Sequence, residues 1–237
     1  MSYNYIGIVN EVNRRLNEVE LTESNFSNVS GFYAAIKDAV NASIRDVNQS
    51  HYEWPFNHVI AEETLSTGVT RYAFPNDCSS IDFDTFRIKE DATFGNGTSK
   101  LSIISYEDYL EKHVAQEYSS DESMSGIPSS VFHAPSLEWG VTPSPNKDYE
   151  IVYEYYRVPV DLINATDVPS IPERFRHVIV DGAMYHAYMF RSNEQAANLS
   201  KSKFEEGIKR MRTMLINRYS YVRSTMIDRR SHSFRVR

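Results

Sequence analysis

Residues 171–190 read IPERFRHVIVDGAMYHAYMF and residues 191–217 read RSNEQAANLSKSKFEEGIKRMRTMLIN. In the first segment Phe175, Val178, Ile179, Gly182, Ala183, His186, Met189 and Phe190 recur at helical spacing. In the second Ala197, Phe204, Ile208, Met211 and Leu215 do the same. Ser170 to Glu173 and Ser192 to Gln195 both fit the capping-box pattern, in which a serine oxygen and a carboxylate or amide satisfy first-turn N–H groups. Pro172 suits a first turn, where its missing N–H costs nothing. The two segments are therefore expected to form a helical hairpin with both stripes on a shared core. Gly182 and Gly207, each mid-helix, would cost about 1 kcal/mol relative to Ala unless close packing uses them. They are expected to mark where another helix approaches.

The start of the chain supplies two more apolar stripes. Between residues 3 and 20, Tyr5, Ile8, Val9, Val12, Leu16 and Val19 share a helical face. Between 30 and 48, Phe32, Ala35, Ile36, Ala39, Val40, Ile44 and Val47 do so. Trp54-Pro55-Phe56 then ends the helical pattern and offers two aromatics to seal a core edge. The period changes afterwards. Thr70 to Pro75 alternates, with Tyr72 and Phe74 on one side, and Phe86 and Ile88 alternate with Arg87 and Lys89. A turn at Gly95 to Thr98 leads into Lys100 to Ile104. Residues 105–118 read as a short helix opened by Ser105, and 119–130 as a polar loop. Strands resume at 137–141, turn at 143–146 and return through 149–158. The resulting expectation is an α+β chain. Residues 1–56 and 159–217 form a helical bundle built from both ends, 57–158 an inserted antiparallel β sandwich or barrel, and 218–237 an extended basic tail.

Composition narrows the class of function. The 237 residues are 41% hydrophobic and 24% charged, as in ordinary globular proteins. No apolar run approaches the roughly 20 residues of a membrane span, and the N-terminus has no signal-peptide pattern. Cys78 stands alone, which suits a reducing compartment and excludes an internal disulfide framework. Residues 201–237 hold 11 Lys or Arg and 3 Asp or Glu, a net +8; the first 200 hold 14 and 29, a net −15. Such a body repels nucleic acid, and its basic end seeks an acidic surface.

Motifs for chemistry are absent. No glycine-rich phosphate loop and no nucleophile elbow occurs. Cys78 has no histidine neighbour and reads as a small packed hydrophobe. His177 and His186 fall on opposite helix faces, so they cannot share a metal. Asp82 and Asp84 share a strand face and could meet a cation, but no third ligand is evident; a solvated face is the plainer reading. Asp121-Glu122 likewise reads as solvated. Tyr153, Tyr155 and Tyr156 resemble a base-stacking platform, yet glutamates at 150 and 154 favour a packed strand. No catalytic, cofactor or metal residue is expected. The tail differs: Arg218, Arg223, Arg229, Arg230, Arg235 and Arg237 are interleaved with Tyr219, Tyr221 and Phe234, residue types enriched at interface hot spots.

The order of segments carries a resemblance. A two-helix start leads through Trp54-Pro55-Phe56 to Thr70-x-Tyr-x-Phe-Pro-x-Asp77. The chain continues through Leu137-x-Trp-x-Val-x-Pro143-x-Pro145 to Tyr149-x-Ile-Val-x-Glu-Tyr155. It closes with Val158-Pro-Val-Asp-Leu162, Ile171-Pro-Glu173 and the Gly182-Ala183 helix. Over roughly residues 1 to 216 this resembles the head-to-tail adaptor proteins of tailed bacteriophages, the group that includes tail tubular protein A. The resemblance implies a helical bundle with an inserted β domain, and a dodecameric ring beneath the portal protein with the tail nozzle or tail tube protein below. DNA would pass through the channel without sequence-specific contact or membrane involvement. It implies a virion component of the tail or neck, made in the host cytoplasm, whose C-terminal segment reaches toward the portal. The nine tail residues named above occupy that position, although no family motif aligns with them. The alternatives are a tail-associated glycoside hydrolase working with two carboxylates, or another tail-completion or nozzle protein.

Overall fold

The structure, a computed structural model, describes residues 2–89, 97–118 and 124–216. The chain divides into two compact units, Met1–Phe56 with Asp161–Arg237, and Asn57–Val160. The fold is α+β, with helices in the first unit and a β sandwich in the second.

Four helices build the first unit: α1 (Tyr5–Arg15), α2 (Phe32–Gln49), α5 (Arg176–Phe190) and α6 (Glu194–Leu215). Asn4 caps α1 by accepting the Gly7 N–H at 3.0 Å, and Arg14 and Arg15 complement the dipole at its other end. The two ends of the chain are joined through hydrogen bonds. Tyr5 and Ile6, in the first turn of α1, donate their N–H groups to the carbonyls of Asp167 and Ala165 at 2.8 and 3.1 Å. Asn41 on α2 exchanges both side-chain bonds with the backbone of Leu162, at 3.0 and 3.1 Å. Trp54 is fully buried, donates its indole N–H to the Val47 carbonyl at 2.9 Å and stacks on Phe56.

Helix α5 lies at the centre and packs against α1, α2 and α6. The two mid-helix glycines are contact points, as expected. A Cβ on Gly182 would stand 2.2 Å from Ser43 Oγ of α2 and 2.8 Å from the Phe204 ring of α6. A Cβ on Gly207 would stand 2.8 Å from Val178 Cγ2 of α5. Small residues here let three helices approach closely.

Other helical expectations need correction. Val180, Met184 and Ala187 are buried although they lie off the α5 stripe, whereas Met189 and Phe190 are 50% and 61% exposed. A helix packed against three others is buried on several sides and has no single stripe, and the last turn of α5 runs to the margin of the core. Neither capping box forms. Helix α5 follows a 3-10 turn, Glu173–Phe175, that has no side-chain cap. In front of α6, Ser192 has φ 56°, and Asn193 supplies the cap by accepting the Ala196 N–H at 3.2 Å. Helix α1 stops at Arg15, with Asn17 in the left-handed region, so Val19 leaves the stripe and is exposed.

The second unit contains strands β1 (His58–Leu65), β2 (Arg71–Ala73), β3 (Cys78–Lys89), β4 (Thr98–Lys100) and β5 (Ser102–Ile103). Two short helices follow, α3 (Tyr106–Lys112) and α4 (Ala115–Tyr118). The remaining strands are β6 (Ser125–Gly126), β7 (Ser130–Ala134), β8 (Glu138–Thr142), β9 (Ser144–Pro145) and β10 (Tyr149–Arg157). One sheet has the order β1-β10-β3-β4 and the other β2-β8-β7-β5. Their facing sides bury Leu65, Phe86, Ile88, Val131, Trp139, Val141, Ile151 and Tyr153. Phe86 lies flat on Tyr153 with ring centroids 4.7 Å apart, and is tilted against Trp139 at 5.0 Å. Pairing is antiparallel in both large sheets except that β5 runs parallel to β7; the separate β6–β9 pair is also parallel.

Several strands depart from the sequence reading: β6 lies inside the expected loop 119–130, β9 inside the turn expected at 143–146, and the strand expected at 100–104 is divided between β4 and β5. β1 falls in a stretch with no assigned element, and β7 overlaps the end of the expected loop 119–130. β7 is buried on both faces: Val131 faces the sandwich core, while Phe132 turns outward to stack on Tyr109 of α3 at 3.8 Å. Gly140 makes room for that ring, since a Cβ there would meet Phe132 at 2.3 Å. The expected helix over 105–118 is two helices, and Ser105 does cap the first by accepting the Asp108 N–H. The turn expected at Gly95 to Thr98 and the acidic pair Asp121-Glu122 lie wholly or partly outside the described residues.

Candidate functional site

Cys78, the Asp82–Asp84 pair, the tyrosines of β10 and His186 are each engaged by their own fold. Burial pushes the Cys78 thiol up to about 11, so it is no thiolate nucleophile at neutral pH. Asp82 Oδ1 accepts the Asp84 N–H at 3.1 Å, and Asp84 pairs with Lys100 at 3.2 Å. Among the described residues no three His, Cys, Asp or Glu side chains gather into a metal-holding group. Tyr153 and Tyr155 are core residues of the sandwich, with hydroxyls donated to Glu63 at 3.1 Å and Asp77 at 3.0 Å. Tyr156 stacks on His58 at 4.7 Å. These three side chains therefore form no platform for bases. His186 lies at the side of α5, its Nε2 2.9 Å from Asp46 of α2.

The densest polar cluster was not legible from spacing. Glu117 on α4 receives Arg71 Nε at 2.5 Å and Nη2 at 3.2 Å, Tyr109 OH at 2.7 Å and Thr70 Oγ1 at 3.2 Å. Gln116 beside it accepts Thr142 Oγ1 and the Ser144 N–H at 3.1 and 3.2 Å. Together they tie the short helices to the sheet. Burial alone would raise the Glu117 carboxyl; hydrogen bonds from Arg71, Tyr109 and Thr70 outweigh it and hold the group below the usual range. Asp108, held by Lys112 and Ser105, and Asp167, held by the Asn164 and Ile163 N–H groups, are also lowered. A general acid for glycoside hydrolysis needs the opposite shift.

The depressed Glu117 predicts a sign for pH dependence. Its contribution to stability is fully present above the unfolded value of about 4.3 and is lost as pH falls through the lower folded value. Glu117→Gln is expected to cost about 1–3 kcal/mol at neutral pH, because Arg71 loses its charged partner. In denaturant melts at pH 3 and pH 7, the variant should lack this acid-sensitive component. An unchanged pH profile would remove Glu117 from the account.

The nine tail residues expected to dock a partner, Arg218, Tyr219, Tyr221, Arg223, Arg229, Arg230, Phe234, Arg235 and Arg237, lie outside the described residues. No helix among the described residues is long and apolar enough to cross a membrane.

The family model for SU10 adaptor protein matches residues 3–230, spanning the helices of both chain ends and the β unit between them. The chain belongs to the SU10 adaptor protein family. Membership supports a phage adaptor protein, a virion component with a structural role in the head–tail connection. The match is to the adaptor family as a whole and does not single out the tail tubular protein A group. No curated protein matches the chain. Nothing in the adaptor match supports the glycoside hydrolase alternative.

Proposed function

We propose that this adaptor works without catalysis, as a dodecameric ring between the portal protein and the tail nozzle or tail tube protein, enclosing a channel for DNA. The observation that carries the reading is the family match over residues 3–230. The charge distribution agrees with it. A net −15 over the first 200 residues offers passing DNA little that would hold its phosphates. The six arginines and three aromatics of the tail suit an acidic, pocketed protein surface, which we assign to the portal.

The test is to mix the purified protein with assembled portal and image the complexes. A symmetric ring of adaptor on the portal is the expected result. Monomers that persist after mixing would overturn the reading. A chain truncated after Asn217 is further expected to show no measurable duplex-DNA binding at physiological salt. Tight binding with a steep salt dependence would contradict the acidic channel.

A further inference from the structure

Among the described residues, the sheet ordered β1-β10-β3-β4 ends on one side at β1 and on the other at β4. Every neighbouring pair in it is antiparallel. With four alternating strands, the two edge strands run in opposite directions. β4 of a second copy can therefore lie antiparallel beside β1 with no two-fold axis. Such a contact is heterologous, repeats from copy to copy, and closes into a ring when the rotation allows.

The two edges are also complementary in charge. β1 carries Glu62 and Glu63 and neither Lys nor Arg. On the other side Lys100 of β4 lies opposite Arg87, and Thr98 opposite Lys89. β1 pairs with β10 over all eight of its residues without interruption. It has none of the prolines, lysines or bulges that commonly blunt an edge. The pleat agrees as well. Glu62 and Thr64 stand on the exposed face of β1. Lys100 and Thr98 stand on the matching face of β4, because their partners Arg87 and Lys89 flank the buried Ile88. Glu62 bonds to Lys89 yet remains 66% exposed, and Lys100 bonds to Asp84 yet remains 49% exposed. Both side chains can accept a further partner.

We propose that β1 of one copy takes up β4 of the next, in the register that sets Glu62 opposite Lys100 and Thr64 opposite Thr98. This continues the sheet from subunit to subunit, and it rests on the ring reading above. Cross-strand pairs of opposite charge and of paired threonines are the favourable kind.

Disulfide trapping tests it in the full chain, with Cys78→Ser removing the native thiol. Glu62→Cys and Lys100→Cys are made singly and together and assembled on portal before mild oxidation. Within one copy the two positions are separated by three strand spacings, about 14 Å, too far for an internal bridge. The double variant is expected to give a ladder of linked oligomers. A mixture of the single variants is expected to give mainly the mixed dimer. Glu62→Lys should reduce ring yield, and adding Lys100→Glu should restore it. Rings visible in images but giving no ladder would overturn the strand-edge contact and leave the ring reading standing. Dominant Glu62→Cys homodimers would do the same, by showing a two-fold contact. Absence of rings on the portal would sink both.

Discussion

Phe204→Ala is expected to destabilise the protein by about 3–5 kcal/mol, the range for emptying a buried aromatic site. Phe204 is 7% exposed and reaches from α6 to the backbone of α5 at Gly182. Against a typical total of about 5–15 kcal/mol, that is a large fraction. Denaturant melts read it directly, and a loss under about 1 kcal/mol would mean that the ring is not a core residue. The same site should show coupling. Gly182→Ala places a Cβ 2.2 Å from Ser43 Oγ and 2.8 Å from Phe204. Ser43 cannot move freely, because its hydroxyl donates to the Ile179 carbonyl at 2.9 Å. Overpacking of this kind costs about 1–3 kcal/mol. In the Phe204→Ala background one of the two obstacles is gone, so Gly182→Ala should cost less there than in the parent chain. Equal costs in both backgrounds would show that Phe204 does not constrain Gly182.

Deleting residues 218–237 is expected to abolish or strongly weaken portal binding in co-sedimentation. Six of these residues are arginine and three are Tyr or Phe. Arginines bind carboxylates through paired, charge-assisted hydrogen bonds, while the aromatics supply apolar anchors. Fixing a backbone costs roughly 1–2 kcal/mol per residue in entropy, so the contacts must be extensive to bind at all. Replacing the six arginines with glutamate should be at least as severe as deletion, since attraction becomes repulsion. Full binding by the truncated chain would place the docking element elsewhere.

The contrast between the two predictions follows from what each rests on. The helical pairs, the close approach at Gly182 and Gly207, and the core placement of Phe204 were legible because they depend on 3.6-residue periodicity and on the absence of a side chain. Both are properties of short stretches. Strands with one buried face, such as β10 with Ile151, Tyr153 and Tyr155 turned inward, were legible for the same reason. β7 was not, because burial on both faces erases alternation and a serine-rich approach disguised it. β1 was not, although every second side chain is covered, because the covered face includes the polar Glu63 and the exposed face the apolar Ile60, which erases the alternation in the sequence.

Other features depend on neighbours distant in sequence. Ser170 and Ser192 match a capping pattern, yet Pro172 precedes a 3-10 turn, Phe175 stands at the N-cap of α5 and Asn193 at that of α6, because the approach of the chain sets the backbone angles there. Glu117 is an ordinary surface residue by spacing. It becomes the centre of a hydrogen-bonded cluster only because the sheet brings Thr70 and Arg71 to it from more than 40 residues away. The proposed intersubunit edge has the same origin. Residues 62 and 100 carry opposite charges in any conformation. Only the strand order β1-β10-β3-β4 puts them on opposite margins of one sheet, running in opposite directions. Periodicity tells a chain which face to bury; which strands become edges is set by long-range pairing, and no local pattern encodes it.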